Sequence, residues 1–574
     1  MMSRGTSSTS ILRAPRPNAG VTLVLIMLFA SMSPFFASAD EPEEEAELFT
    51  GSLADFDIDD SGKAYLSTPA GDPVFSGTRH LKNQWIAAGM PGMVLPFAPD
   101  VVQSRSIGAR ACENAWSQGD AVTMPTANGN IAAEVERVTS YAAIIVENGV
   151  SIPSTTINDI ASTWDSSIYP TDTSYFGNPP DLDNNCQIEI VILDIDGPSN
   201  IGGYFSPGIA SLREAIFVDS SDLGWRNVIF AHEFEHLLHN ARDPLEYAWI
   251  DEGNADMAAF LILGAESTLI GHSNGWASNA SCSVRWWNQR TDCDYGAGFL
   301  FMLYLADKLG GGQAIQSLVA DTSTGGASIE NLARNPVPGS PGNIGTTMDE
   351  IFANFTAAAV LDSQQGRFGF NNIEMGGTCS NSAFCRLQLT DQNFNWGSTY
   401  TSQNHDLEGW GVRAWRFASG TGAPLNVMVS PSEFGFDGIL LQKDAVAQTW
   451  STSDLRFDPG SGIGTGVVEG FGNITDEVYL ITWYASTIDD CDYTFPNCGF
   501  SGGSTAYPTA TVDVTAALIS EPPTVRVEST ISSDRDMDGD SDTVNLTMVA
   551  NSTAFFEILD MTVHAFKDLS LIHI

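Results

Sequence analysis

The chain has 574 residues, room for roughly two to four domains and a large apolar core. Its 70 Asp and Glu outweigh 25 Lys and Arg, a formal net charge of -45. That balance excludes nucleic acid and anionic membranes as partners, because both call for positive patches; it fits solubility in a salty medium, with calcium binding at local acidic clusters.

Arg4, Arg13 and Arg16 precede an apolar run from Val21 to Phe36, and Ala37-Ser38-Ala39 supplies a small-residue cleavage site. Residues 1–39 therefore read as a secretory signal peptide. Ser31, Ser33 and Pro34 make the run a poor spanning helix, an uncleaved anchor being the alternative; no other stretch is long and apolar enough to cross a membrane. Residues 40–76 read as an acidic leader or propeptide, opening on the charge run Glu41 to Glu47. Asp55, Asp57, Asp59 and Asp60 imitate a calcium loop but lack its glycine at the sixth place.

From Gly77 to about residue 375 the pattern is globular and mixed. Ala132 to Ser140 is expected as a helix, Ala142 to Glu147 as a buried strand and Ser154 to Trp164 as an amphipathic helix. Asp181, Asp183 and Asn185 form a turn before the strand Ile188 to Leu193, and Ala215 to Val218 is a further strand. Next comes His232-Glu233-Phe234-Glu235-His236, flanked by Val228, Ile229, Phe230, Leu237 and Leu238. Those flanks predict a buried helix, in which two histidines and two glutamates need partners.

Residues four apart share a helical face, so His232 and His236 can turn both imidazoles toward one cation. Glu233 then stands beside the metal, placed to take a proton from the attacking water. A catalytic zinc keeps three protein ligands and one open position, so a third ligand is required. Glu252, opening a helical run to Gly264 after a loop with Asp243, Pro244 and Trp249, is the best candidate. Asp256 shares its face and can hold the tautomer of a ligand histidine. His239 competes for the third place, but it lies roughly 10 Å along the helix from His232.

Downstream, Tyr295 to Leu309 is a strongly apolar helix stopped by Gly310-Gly311-Gly312, and Met348 to Val360 is another. Strands before a metal-bearing helix and helices after it describe an α+β layout. Residues 376–520 read as a β-rich, sandwich-like accessory module, with runs Arg413 to Ala418, Leu425 to Val429 and Val478 to Trp483. Residues 521–574 begin a further β module, expected to be incomplete because Ser570 to Ile574 stop abruptly. It carries Asp534, Asp536, Asp538, Gly539, Asp540 and Asp542, a candidate Ca2+ loop whose twelfth position is Asn545 rather than Glu. An acidic hairpin turn is the alternative there.

The eight cysteines fall largely into close pairs, Cys282 with Cys293, Cys379 with Cys385 and Cys491 with Cys498, leaving Cys112 and Cys186. An even set in an exported protein suggests four disulfides, with connectivity open. The absence of a C-x-x-C pair argues against a thiolate metal site.

These residues resemble gluzincin zinc metallopeptidases, particularly the secreted hyicolysin-like and immune inhibitor A-like groups. The resemblance spans roughly residues 132–311. It rests on Ile168-Tyr169-Pro170, Phe176-Gly177, Asp181-Leu182-Asp183, Gly202-Gly203-Tyr204-Phe205, the H-E-x-x-H helix and Trp249-Ile250-Asp251-Glu252-Gly253. It implies an α+β zincin-like catalytic domain with a mixed sheet, in which His232, His236 and Glu252 bind Zn2+. Glu233 would be general base and then proton shuttle, and Asp256 the outer-shell acid. A metzincin pattern would put its third histidine where Arg242 stands. Tyr295 resembles the tyrosine that some gluzincins aim at the developing oxyanion; a packed aromatic is the alternative. The expected activity is secreted, zinc-dependent endopeptidase action on polypeptides. Two other readings are an adhesion or carbohydrate-binding protein with an idle zincin domain, and a narrow exopeptidase.

Overall fold

The structure is a computed structural model. It describes residues 48–53, 66–68, 71–93, 112–198, 201–287, 290, 293–363, 366–380, 383–390, 399–485, 490–492, 509–518, 524–533 and 543–551; for 66–68, 71–75, 491–492, 524–533 and 543–551 only the backbone is described. The signal peptide, Glu41 to Glu47, Asp55 to Asp60, Asp534 to Asp542 and Ser570 to Ile574 lie outside the described residues.

An eight-stranded mixed sheet forms one layer: β1 (Leu66–Thr68), β2 (Gly71–Ser76), β3 (Ala121–Thr126), β4 (Gly129–Val138), β5 (Ala142–Glu147), β6 (Ile188–Leu193), β7 (Ile201–Tyr204) and β8 (Ala215–Asp219). The spatial order is β1-β2-β7-β8-β6-β5-β4-β3. β5, β6 and β8 run parallel, with Ile144 opposite Ile190 and Ile190 opposite Ile216. Strands buried on both faces read as continuous apolar runs, which is how these three read apart from the buried Glu189 within β6. Ile144, Ile190 and Ile216 point into one core and Ile145, Val191 and Phe217 into another on the opposite face.

The helix expected over Ala132 to Ser140 is instead most of strand β4. Ala133 and Val135 are buried while Glu134 and Glu136 are exposed, a period of two. Ala and Glu favour helix as isolated residues. Here the turn at Ala127-Asn128, followed by Gly129 at φ 103°, pairs the segment with β3 and β5, and this pairing overrides propensity.

The helices comprise α1 (Thr78–Ala87), α2 (Ser154–Thr163), α3 (Tyr169–Phe176), α4 (Arg226–Asn240), α5 (Ala248–Leu263), α6 (Ser267–Ser278), α7 (Asp294–Leu309), α8 (Gly312–Val319), α9 (Gly326–Arg334) and α10 (Met348–Leu361). The last opens on a capping box between Thr347 and Glu350. Except for α1, whose Leu81 packs into the second core, the helices cover the first core face. α5 and α7 cross at Gly253 and Gly298. A Cβ on Gly253 would lie 2.6 Å from the Gly298 carbonyl carbon, so two glycines are needed for this approach.

Beyond α10, two antiparallel sheets stack as a sandwich. One has strands β10 (Tyr400–Glu408), β19 (Thr509–Leu518), β12 (Leu425–Pro431), β16 (Gly464–Val468) and β15 (Arg456–Phe457); the other has β11 (Val412–Ala418), β17 (Thr475–Tyr484), β13 (Phe436–Asp444) and β14 (Trp450–Asp454). Trp415, Phe417, Val427, Leu440, Leu480 and Val512 fill the space between them. The other face of the four-stranded sheet joins the core under the helices, where Phe352 meets Trp410 and Trp483 edge to face. β9 (Trp286–Trp287) and β18 (Cys491–Asp492) pair in parallel, and a hairpin of β20 (Thr524–Ser533) and β21 (Thr543–Asn551) follows.

Disulfides join Cys112 to Cys186, Cys282 to Cys293 and Cys379 to Cys385; Cys498 lies outside the described residues. Among the described residues no helix is long and apolar enough to cross a membrane.

Candidate metal centre

α4 carries His232 and His236 on one face, as their spacing requires, and α5 crosses beneath it with Glu252. The proximity of α4 to the sheet depends on Gly203 in β7, where a Cβ would lie 2.5 Å from Ile229 Cγ2. His232 Nε2 and His236 Nε2 stand 3.1 Å apart. Glu252 Oε2 is 3.2 Å from the first and 3.6 Å from the second. Bonds of 2.0–2.1 Å in a tetrahedron set ligand atoms ~3.3 Å apart, so the three edges bracket the separation that zinc imposes.

Outer partners decide the tautomers. His232 Nδ1 lies 3.3 Å from Asp256 Oδ1, and His236 Nδ1 lies 3.1 Å from Asp251 Oδ1. Each Nδ1 therefore carries the proton that its carboxylate accepts, leaving both Nε2 lone pairs facing Glu252. Both oxygens of Glu252 are buried, and Oε2 faces the two imidazoles. Two lone pairs and a carboxylate converging in a sealed interior demand a cation, so the donor set fits zinc.

The same demand appears in proton affinity. Burial opposes a charged His232, yet hydrogen bonding to Asp256 and Glu252 pushes its pKa up to about 9. His236 is raised well above its ordinary value against the same burial, by the charges of Asp251 and Glu252. Burial would raise Glu252, but His236 and His232 hold it down at about 2. Asp256 lies well below the usual carboxylate range, its burial outweighed by His272 and His232.

Glu233 lies one residue along α4 and accepts two hydrogen bonds, from Ser76 Oγ at 2.8 Å and from Thr78 Oγ1 at 2.5 Å. Tyr295 opens α7 with its ring stacked on His272 and edge-on to Trp287. Burial first, then the negative charges of Glu252, Asp256 and Glu233, raise its phenol well above 10. Its ring is packed and buried, and its hydroxyl shares the field of the centre.

Thus His232, His236 and Glu252 come together, with Glu233, Asp256 and Tyr295 around them. His239 does not join. Its Nδ1 turns to Glu235 Oε1 at 3.1 Å, in a second buried group of Glu235, His236 and Asp251. Arg242 donates to the carbonyls of Leu238 and Asn178 and stays apart from the centre. A third acidic group, Asp181, Asp183 and Glu214, sits beside the Cys112–Cys186 bridge. A surface pocket lined by Trp85, Met93, Leu182, Arg213 and Leu237 includes Glu214 of that third group but none of His232, Glu233, His236 and Glu252.

Sequence reasoning missed Asp251, Ser76, Thr78, Lys82 and His272. Asp251 directly precedes Glu252, but adjacent helical residues point about 100° apart, and only the crossing of α4 and α5 brings it to His236. His272 Nδ1 contacts Asp256 Oδ2 at 2.7 Å, and Lys82 Nζ meets Asp251 Oδ2 at 2.6 Å.

No family model matches the chain. A curated relative, the neutral metalloprotease ShpI of Staphylococcus hyicus, is 23% identical over 246 residues. The match covers 37% of this chain and 55% of the relative, so the chain spans about half the length of the relative it matches. This likeness supports a metallopeptidase relationship. Among solved structures, a periplasmic inhibitor of g-type lysozyme from Aeromonas hydrophila aligns at 11% identity, covering 22% of this chain and 92% of its own, with a TM-score of 0.15. A 4-O-methyl-α-glucuronidase aligns at 5% identity over 60% of this chain and 54% of its own, with a TM-score of 0.13. Neither value indicates a shared fold.

Proposed function

We propose that the chain is an exported zinc-dependent endopeptidase of the gluzincin type, with a zincin-like core over residues 77–375. The observation that carries this reading is the near-equilateral triangle of His232 Nε2, His236 Nε2 and Glu252 Oε2 with Glu233 beside it. The metalloprotease relative supports it. A zinc ion held by these three would supply a Lewis acid that polarises the scissile carbonyl and acidifies water. Glu233 takes the proton of the attacking water and returns it to the departing amine. Asp256 and Asp251 lock the two imidazoles through Nδ1. Tyr295 donates a hydrogen bond to the developing oxyanion, its raised pKa keeping the donor proton in place. Export by the signal peptide suits the disulfides. Calcium at Asp534, Asp536, Asp538, Asp540 and Asp542 remains part of the proposal.

The test is turnover of a casein-like substrate by purified Glu233→Gln protein carrying its full zinc. Loss of several orders of magnitude in kcat is expected, and parental turnover would overturn the assignment. Metal analysis of His232→Ala, expected to lose stoichiometric zinc, checks the ligand set separately.

A further inference from the structure

An endopeptidase must admit an extended chain to its metal, yet His232, Glu233, His236 and Glu252 are each at most 1% exposed. Part of what covers the site comes from the N-terminal side. β2 lies parallel to β7 along the edge that faces away from β8, with Phe75 opposite Ile201 and Ser76 opposite Gly203. The next residues use the hydrogen-bonding groups of that edge. Gly77 N–H donates to the Gly203 carbonyl at 2.9 Å, and Phe205 N–H donates to Thr78 Oγ1 at 2.7 Å. An unpaired carbonyl and N–H on a sheet edge are the groups through which an extended polypeptide adds as a further strand.

Thr78 goes further, because its hydroxyl passes the contact on to Glu233 Oε2 while Ser76 holds Oε1. Both oxygens of the proton acceptor are thereby engaged, and the water that it must deprotonate has to compete with two hydroxyls. A third anchor is Lys82, whose ammonium meets Asp251, the partner of His236. Leu81 and Trp85, both buried, seat the helix that carries it.

We propose that residues 76–82 are an autoinhibitory segment that occupies the polypeptide-binding edge of β7 and restrains Glu233, so that an extended polypeptide enters only after they leave. This rests on the endopeptidase reading above. It also moves the inhibitory boundary past the expected end of the leader at residue 76 and into α1.

The test compares the zinc-loaded full chain with a Ser76→Ala/Thr78→Val double variant on an internally quenched peptide, each also made with Glu233→Gln. Removing a hydrogen bond to a charged group is worth on the order of tenfold. The double variant is therefore expected to gain tenfold or more in kcat/KM at unchanged zinc content. A synthetic peptide of residues 71–87 is expected to inhibit the gain in trans. If the hydroxyls instead position Glu233 for catalysis, the double variant will be slower than its parent, and that result overturns the proposal. A second measurement does not depend on the variant's folding. The mass of the active parental species should show an N-terminus beyond Thr78, and full specific activity in a species retaining residues 71–87 overturns the proposal. Loss of turnover in Glu233→Gln without a gain in the double variant removes only this inference. Undiminished turnover in Glu233→Gln removes the function and the inference together.

Discussion

Gly253→Ala tests whether the crossing of α5 and α7 sets the metal geometry. The new Cβ would lie 2.6 Å from the Gly298 carbonyl carbon and 2.7 Å from its oxygen. Favourable contact begins near ~3.5 Å, so the two backbones must part by about 1 Å. Overpacking of this kind costs about 1–3 kcal/mol. Glu252 is the adjacent residue, and a shift of that size stretches edges that now measure 3.2 and 3.6 Å beyond what bonds of about 2 Å close. Helix propensity acts in the opposite direction, since Ala in a helix interior is favoured over Gly by about 1 kcal/mol. The variant should unfold at a lower temperature than its parent, and competition with a chromophoric chelator should show at least tenfold weaker zinc binding. Gly298→Ala, whose Cβ would meet the Trp249 carbonyl oxygen at 2.7 Å, should behave alike. A raised melting temperature with parental zinc affinity would mean that propensity decides and that the glycine contact does not position Glu252.

Asp256→Asn removes the acceptor of His232 Nδ1–H and should weaken zinc binding ten- to a hundredfold, read by the same competition assay while overall secondary structure is retained. Glu246 is fully buried, and burial, aided by Asp243, raises its carboxyl to about 8 from 4.5. The native state keeps a proton that the unfolded state releases, so stability is full below about pH 4.5 and declines as pH rises to about 8. At ~1.4 kcal/mol per unit the ceiling is ~5 kcal/mol; urea unfolding of Glu246→Gln should show a flatter pH profile than the parent, and identical profiles would count against it. Replacing Cys112 and Cys186 by Ser opens a loop with a sequence separation of 74, an expected loss of about 4 kcal/mol by chain entropy, visible as a shifted denaturation midpoint.

Legibility followed the range of the contacts. His232 and His236 are four apart on one helix, so their convergence is local geometry and could be read directly. β5, β6 and β8 are legible because strands buried on both faces are almost entirely apolar, Glu189 being the interior exception. β4 reads as helix in isolation because Ala and Glu carry helix propensity, while its alternation is set by neighbours on both sides. The hydroxyls that hold Glu233 lie 157 and 155 residues upstream, and no spacing rule links Ser76 or Thr78 to α4. Their place is fixed by which edge β2 joins, a choice that belongs to the assembled sheet. Asp251 was hidden differently: it stood inside a motif already noted, but its direction depends on a helix crossing.

The excess of acid takes on a structural meaning at the cations. With only 25 Lys and Arg in the chain, three of them are buried or nearly so around α5 and α7, with side-chain exposures of 3% for Lys82, 4% for Arg285 and 18% for Arg290. Each joins a carboxylate distant in sequence. Arg285 forks onto Asp490, which also accepts from Trp249 Nε1 at 3.1 Å and from Gly326 N–H at 2.9 Å. Arg290 holds Glu408 from the sandwich together with Asp294 at the start of α7. Trp249 lies one helical turn before Glu252, so Asp490 fastens the helix that presents the proposed third ligand. Composition changes near residue 376, but the apolar core and these ion pairs run across that point. Removing either partner would strand a buried charge at a cost of about 3–5 kcal/mol. The β-sandwich therefore acts on the metal centre as a brace, through Asp490 on α5 and through Glu408 on α7, whatever else its outer surfaces bind.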